Sequence, residues 1–175
     1  VILVVCTGNT CRSPLAEALL RHHLDAAGHD LVVRSAGTLG WNGAPATPYV
    51  HDVLAELGVT LPEHVSRKIT RADVDEASLI IPMTRVHAWA IAAHDPDAAA
   101  RTFLLDELVR LGRLVGERGG EELESWLTEL DARRPPDRLA RASEEVADPA
   151  GQELEVYRAT AARLDRSVRR LVPLL

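Results

Sequence analysis

Three side-chain types in this sequence are placed for chemistry on an anion: the thiol of Cys6, the guanidinium of Arg12 and the carboxyl of Asp148. The first two belong to Cys6-Thr7-Gly8-Asn9-Thr10-Cys11-Arg12-Ser13, a C-x5-R-S spacing set between the apolar run Val1 to Val5 and the pair Ser13-Pro14. A serine N-cap followed by proline reads as a helix start, so the spacing predicts strand, loop and helix N-terminus. Backbone N–H groups at such a point have no partner inside the helix, and the helix dipole favours negative charge there. Arg12 adds two parallel donors that match phosphate oxygens. Gly8 is read as taking a backbone conformation closed to most residues, and Asn9 as tolerating positive φ, so that the loop curls tightly. Thr7, Gly8, Asn9, Thr10, Cys11, Arg12 and Ser13 are therefore the expected phosphate-binding set.

Cys6 lies at the base of that cradle, where the same donors favour thiolate over thiol, and the thiolate is the nucleophile. The Ser13 hydroxyl is placed to add a hydrogen bond. Displacement at phosphorus also needs a proton for the leaving group. Asp148, in the turn Asp148-Pro149-Ala150-Gly151 ahead of the last helix, is the candidate general acid. The dipeptide alone says little, since Asp95-Pro96 repeats it. The bland alternative makes Cys6 a small residue ending a strand and Arg12 a surface charge. A buried strand, a Gly-Asn loop, a helix start and a distant acid together outweigh that alternative.

The surrounding pattern must hold these groups. Val1 to Val5 reads as a strand buried on both faces, followed by strands at Leu31 to Arg34 and Ser78 to Ile81 and a short fourth at Thr102 to Leu104. Helices are predicted after Ser13-Pro14, at Tyr49 to Leu57 behind Thr47-Pro48, at Thr84 to Ala93 and at Asp106 to Val115. A long C-terminal helix carries Leu154, Tyr157, Ala161, Leu164, Val168 and Leu171 at spacings of three and four. The expectation is an α/β fold with a four-stranded parallel sheet, helices on both faces and the phosphate loop after strand 1. Residues 1–175 read as one domain with an insertion at about 116–145, an elaborated, partly helical connection in which Trp126 is a packing anchor rather than part of a lid.

Composition sets the outer bounds. The chain has 175 residues, 46% hydrophobic, and a net charge of -6 from 20 basic and 26 acidic side chains. That balance gives no basic field for nucleic acid. The opening apolar run is far below the roughly 20 residues that cross a bilayer, so no membrane partner and a cytoplasmic location are expected. Two cysteines five positions apart make neither a disulfide scaffold nor a zinc site, and the adjacent His22 and His23 lack metal-ligand partners. No metal and no cofactor is expected.

On these residues the chain resembles the low-molecular-weight protein tyrosine phosphatases. The resemblance is carried by residues 5 to 17, by Ser-Ala-Gly-Thr at 35 to 38, by His-Val-Ser-Arg-Lys-Ile-Thr at 64 to 70 and by Asp148-Pro149. It implies a phosphocysteine intermediate on Cys6, with Asp148 first protonating the leaving group and then activating water. It further implies that Asn9, Ser13, Ser35 and His64 brace the loop, and that Trp41 forms a wall of the substrate slot, which favours an aryl phosphate. Ala150 departs from the aromatic residue common at its position. Thr10 stands where many tyrosine-specific members carry an aliphatic residue and is similar to the bacterial protein arginine phosphatases. Phosphotyrosine, phosphoarginine and a small phosphorylated molecule therefore all stay open as substrates, as does the oligomeric state. Arsenate reduction is disfavoured because Cys11 is the only further cysteine, and a non-catalytic phosphate-binding module has no reason to keep Cys6, Arg12 and Asp148 together. Cys11 is either a reversible disulfide partner of Cys6 or a buried structural residue.

Overall fold

The computed structural model describes residues 1–41, 43–138 and 140–175. Its sheet has three parallel strands, β1 (Ile2–Cys6), β2 (Val33–Gly37) and β3 (Leu79–Pro82), in the order β2-β1-β3. Val5 lies opposite Ala36 on one side and Pro82 on the other. The central position explains why β1 is apolar without alternation: every residue of it is buried. Successive side chains point to opposite faces. Ile2, Val4, Cys6, Leu79 and Ile81 share a cluster with side chains of α1 (Arg12–Ala27), α2 (Pro48–Glu56), α5 (Leu105–Val115), α6 (Leu123–Asp131) and α7 (Leu154–Leu171). Leu3, Val5, Ala36 and Ile80 pack instead with Val74 of α3 (Arg71–Glu76) and Ile91 of α4 (Arg85–His94). Helices thus flank both faces, as the alternation of the sequence requires.

The expected fourth strand is not formed among the described residues. Thr102 makes a single parallel bridge to Ile80, and Phe103 N–H donates to the Ile80 carbonyl at 3.0 Å. The neighbouring backbone groups are committed elsewhere. Leu104 N–H goes to the Glu107 carboxylate at 3.1 Å, Thr102 N–H to the Ala99 carbonyl, and the Thr102 carbonyl accepts from Arg134 at 2.7 Å. With its donors and acceptors spent on the start of α5 and on Arg134, the segment cannot propagate a ladder. β2 also differs from the expected Leu31 to Arg34: it runs on through Ser35, Ala36 and Gly37. Their small and polar side chains carry no strand signal.

Within 116–145, α6 buries Trp126, Leu127 and Leu130, the apolar spacing predicted for it. Trp126 is 1% exposed and donates Nε1–H to the Gly116 carbonyl at 3.0 Å, so it is a packing anchor. Arg134 follows with both Glu107 carboxylate oxygens at 2.9 Å, and its guanidinium lies 4.0 Å from the centre of the Phe103 ring. α7 runs from Leu154 to Leu171 as the periodicity predicts, with Tyr157, Ala161, Leu164, Val168 and Leu171 buried. No helix among the described residues is long and apolar enough to cross a membrane.

Candidate active site

The chain leaves β1 at Cys6, at the C-terminal edge of a parallel sheet, and turns through residues 7–11 into α1. Asn9 makes the turn possible, with φ of 58° in the left-handed region that asparagine tolerates. Its side-chain amide fixes the loop. Asn9 Oδ1 accepts the backbone N–H of Arg67 at 3.0 Å, which can only donate, so the two Nδ2 hydrogens face the hydroxyls of Ser13 at 3.0 Å and Ser35 at 2.8 Å. Ser13 Oγ, already an acceptor, lies 3.0 Å from Cys6 Sγ and 3.4 Å from the Ala36 carbonyl; its single proton goes to the sulfur when Cys6 is a thiolate, which can only accept. Ser13 is therefore not the N-cap expected from its proline neighbour. The helix begins at Arg12, with Cys11 at the capping position, and the Ser13 side chain turns back to the thiol.

Residues 64 to 67 close the other side of the loop. His64 Nε2 lies 2.7 Å from the Asn9 carbonyl and must donate to it. Ser66 Oγ donates to the Gly8 carbonyl at 2.7 Å, a support that, like Arg67 N–H, sequence reasoning missed. Gly37 lets the loop come this close, since a Cβ there would sit 2.5 Å from the Thr7 carbonyl oxygen and 2.9 Å from Asn9 N. Gly8 does not take the positive φ expected of it. What it supplies is space: a Cβ at Gly8 would meet the Trp41 ring at 3.1 Å. Trp41 thus lies against the loop with 55% of its surface exposed.

Arg12 is 5% exposed and spends its donors on several groups at once. Nη1 donates to the Val146 carbonyl at 3.2 Å, and Nη2 donates to Thr7 Oγ1 at 3.2 Å and to Asp148 Oδ2 at 2.6 Å. Nε is buried with no hydrogen-bond partner among the described residues, a donor suited to an anion in the cradle. Asp148, about half exposed, is brought to Arg12 by a clamped segment. Val146 N–H donates to the Met83 carbonyl at 2.8 Å, and Glu145 takes both the backbone N–H and Nε of Arg85 at 3.0 Å. These hydrogen bonds hold Glu145 below the usual carboxylate range. Two pairs result, Cys6 with Ser13 and Arg12 with Asp148, and Asn9, Ser35 and His64 brace the loop that carries the first of them. Thr10 is 5% exposed, and its carbonyl accepts Thr47 N–H at 2.9 Å.

Burial pushes the Cys11 thiol up to about 12, which holds it in the protonated form at neutral pH. No group of three or more potential metal ligands occurs among the described residues. His87, also unanticipated, is pushed from 6.5 down to about 4, first by burial and then by the Arg12 charge. The unfolded chain takes up a proton at this histidine below about 6.5, whereas the folded chain resists it until about 4. The unfolded state binds more protons in that window, so stability present at pH 7 is lost as pH falls through it, by roughly 3 kcal/mol. Urea unfolding at pH 7 and pH 4.5 should show a smaller drop for His87→Phe than for the parent; equal drops would contradict the assignment.

The family model described as low molecular weight phosphotyrosine protein phosphatase matches residues 1–113, the stretch that holds the loop and its braces. The chain belongs to this family, whose members are cysteine-dependent phosphatases. It is 31% identical to the protein-arginine-phosphatase of Bacillus subtilis over 170 residues, covering 97% of this chain and 93% of that one. It is 40% identical to the low molecular weight protein-tyrosine-phosphatase Etp of Escherichia coli over 106 residues, covering 61% and 69%. Among solved structures, the low molecular weight protein tyrosine phosphatase of T. tengcongensis superposes with a TM-score of 0.76 at 30% identity, covering 99% of this chain and 98% of that one. A variant of the YwlE arginine phosphatase with a phosphorylated active-site serine superposes at 0.75 with 30% identity, covering 98% and 92%. What sequence reasoning missed at the site, Ser66, Arg67, Val146 and His87, acts through backbone groups or from the edge beyond β3. A histidine three residues after Thr84, just past a buried strand, was the one available signal.

Proposed function

We propose that this phosphatase hydrolyses phosphorylated protein side chains through a phosphocysteine on Cys6, with phosphoarginine as its favoured substrate. The observation that carries the chemistry is the bond chain from Asn9 through Ser13 to Cys6 Sγ, which puts a hydroxyl 3.0 Å from the sulfur, placed to donate to it once it bears negative charge. The Cys6 thiolate attacks phosphorus while loop amides and Arg12 hold the equatorial oxygens, and the leaving nitrogen or oxygen takes its proton from Asp148. Water then attacks the phosphocysteine as Asp148 accepts its proton, releasing phosphate and the Cys6 thiolate. The YwlE variant with a phosphorylated active-site serine supports a covalent intermediate at the corresponding place. We read residues 1–175 as one functional domain in which 116–145 belongs to the scaffold. The two free cysteines fit a reducing, cytoplasmic setting.

Phosphoarginine is supported by three features. The match to an arginine phosphatase spans nearly the whole chain, Thr10 puts a small polar side chain at the cradle, and the exposed Ala150 leaves that side of the entrance without an aromatic wall. A second reading, phosphotyrosine, is favoured by Trp41, whose exposed ring against Gly8 offers a flat apolar face to an aryl group. Phosphate release from phosphoarginine and phosphotyrosine peptides of one sequence, at neutral pH, separates them. The parent chain should prefer phosphoarginine, and Thr10→Ile should move the ratio toward phosphotyrosine by about tenfold, the scale of one lost favourable contact. An unchanged ratio removes Thr10 from the argument. No release from either peptide overturns the phosphatase reading itself.

A further inference from the structure

His87 takes no part in the chemistry above, yet it is 4% exposed and both of its ring nitrogens are engaged. Nε2 lies 2.9 Å from Thr7 Oγ1 and Nδ1 lies 2.9 Å from Thr84 Oγ1, the N-cap hydroxyl of α4. A histidine buried only for packing needs no such pairing, since a leucine or phenylalanine would fill the space without bringing two ring nitrogens out of water. One partner belongs to the loop itself, and the same Thr7 hydroxyl accepts from Arg12 Nη2. We propose that His87 is a positioning residue for phosphate recognition: through Thr7 it fixes the rotation of the Arg12 guanidinium, so that Nε faces the bound phosphoryl group.

A hydroxyl left to itself rotates to suit its neighbours, and a guanidinium held by one partner swings with it. Val146 holds Nη1 of Arg12, while Thr7 and Asp148 share Nη2 at 3.2 Å and 2.6 Å; together they fix the plane of the group, Thr7 being the partner on Nη2 that does not move a proton, and Nε is the donor left without a partner among the described residues. Either neutral tautomer of His87 joins Thr7 to Thr84, which itself sits at the start of a helix packed on the sheet. The position of Arg12 is thereby referred to the scaffold beyond β3, a region that holds none of the reacting groups. This assignment rests on the phosphatase reading of the same site.

Two conservative variants separate positioning from packing. In His87→Gln the amide reaches the place of Nε2 and can still meet Thr7; in His87→Asn it reaches only the place of Nδ1 and Thr84. The probe is inorganic phosphate, titrated calorimetrically and as a competitive inhibitor of aryl phosphate hydrolysis. His87→Asn should weaken phosphate binding about tenfold, the scale of one hydrogen bond to a charged group, and lower kcat with it. His87→Gln should stay within about twofold of the parent, and Thr7→Val should match His87→Asn, with the double variant no worse than Thr7→Val alone because the two act as a unit. Unchanged phosphate binding in His87→Asn, equal losses in the Asn and Gln variants, or additive losses in the double variant would each overturn the proposal. If His87→Asn fails to fold, Thr7→Val still decides, since full phosphate affinity without the Thr7 hydroxyl excludes the route. A parent chain that binds phosphate but hydrolyses nothing would defeat the phosphatase reading while leaving the positioning result legible in the titration.

Discussion

Replacing Cys6 by serine should reduce aryl phosphate hydrolysis by at least about four orders of magnitude, the scale seen when an enzyme loses its nucleophile. The hydroxyl at that place is a poor nucleophile at neutral pH, and the Ser13 hydroxyl beside it can stabilise a sulfur anion but does not ionise an alcohol. The substitution leaves the loop bonds of Asn9, His64 and Ser66 intact, because none of them uses the thiol. The variant should therefore still bind inorganic phosphate with an affinity close to that of the parent. Loss of turnover with retained phosphate binding is the expected pair of results. An unchanged rate would remove Cys6 from the mechanism, and loss of both properties would mean that the substitution had collapsed the loop.

The second large effect is expected at Arg12. Arg12→Lys keeps the charge but replaces a planar fork by a point charge that cannot serve Val146, Thr7, Asp148 and a phosphate at the same time. The loss in kcat/KM should be about 10²- to 10³-fold, the scale of removing a preorganised donor from a transition state. It should fall on kcat as well as on KM, since Arg12 holds both the transferring group and the residue proposed to move the proton. A variant that binds phosphate weakly but turns over at the parent rate at saturation would show that Arg12 only gathers substrate.

Much of this site is legible in the primary sequence because its chemistry is local. Cys6, Asn9, Arg12 and Ser13 lie within eight residues, and strand, loop and helix are written there in apolar run, glycine and proline. Distant partners are less visible. Asp148-Pro149 and Asp95-Pro96 are the same dipeptide, yet Asp95 caps a short 3-10 turn by accepting Asp97 N–H, whereas Asp148 meets Arg12. The difference lies in Val146 and Glu145, which tie the preceding residues to Met83 and Arg85, and nothing near Asp148 in the sequence announces those bonds. The fourth strand that the sequence suggests fails to form among the described residues for a related reason. Thr102-Phe103-Leu104 has strand composition, but its pairing groups are claimed by Glu107 and by Arg134, more than 25 residues downstream. The sequence signal for β2 stops at its apolar end, because the residues that extend it, Ser35 and Gly37, serve the loop they touch rather than a core.

Arg134 has a bearing on how the chain could be shortened. Glu107 is 0% exposed and Arg134 supplies its counter-charge from the segment before Asp148. Cutting that segment back would leave a carboxylate stranded in the core, a defect that costs about 3–5 kcal/mol when one partner of a buried pair is lost. A trimmed version of this chain must therefore exchange Glu107 for an apolar residue in the same step. The connection before the last helix and the start of α5 can be altered only together, although 27 residues separate Glu107 from Arg134.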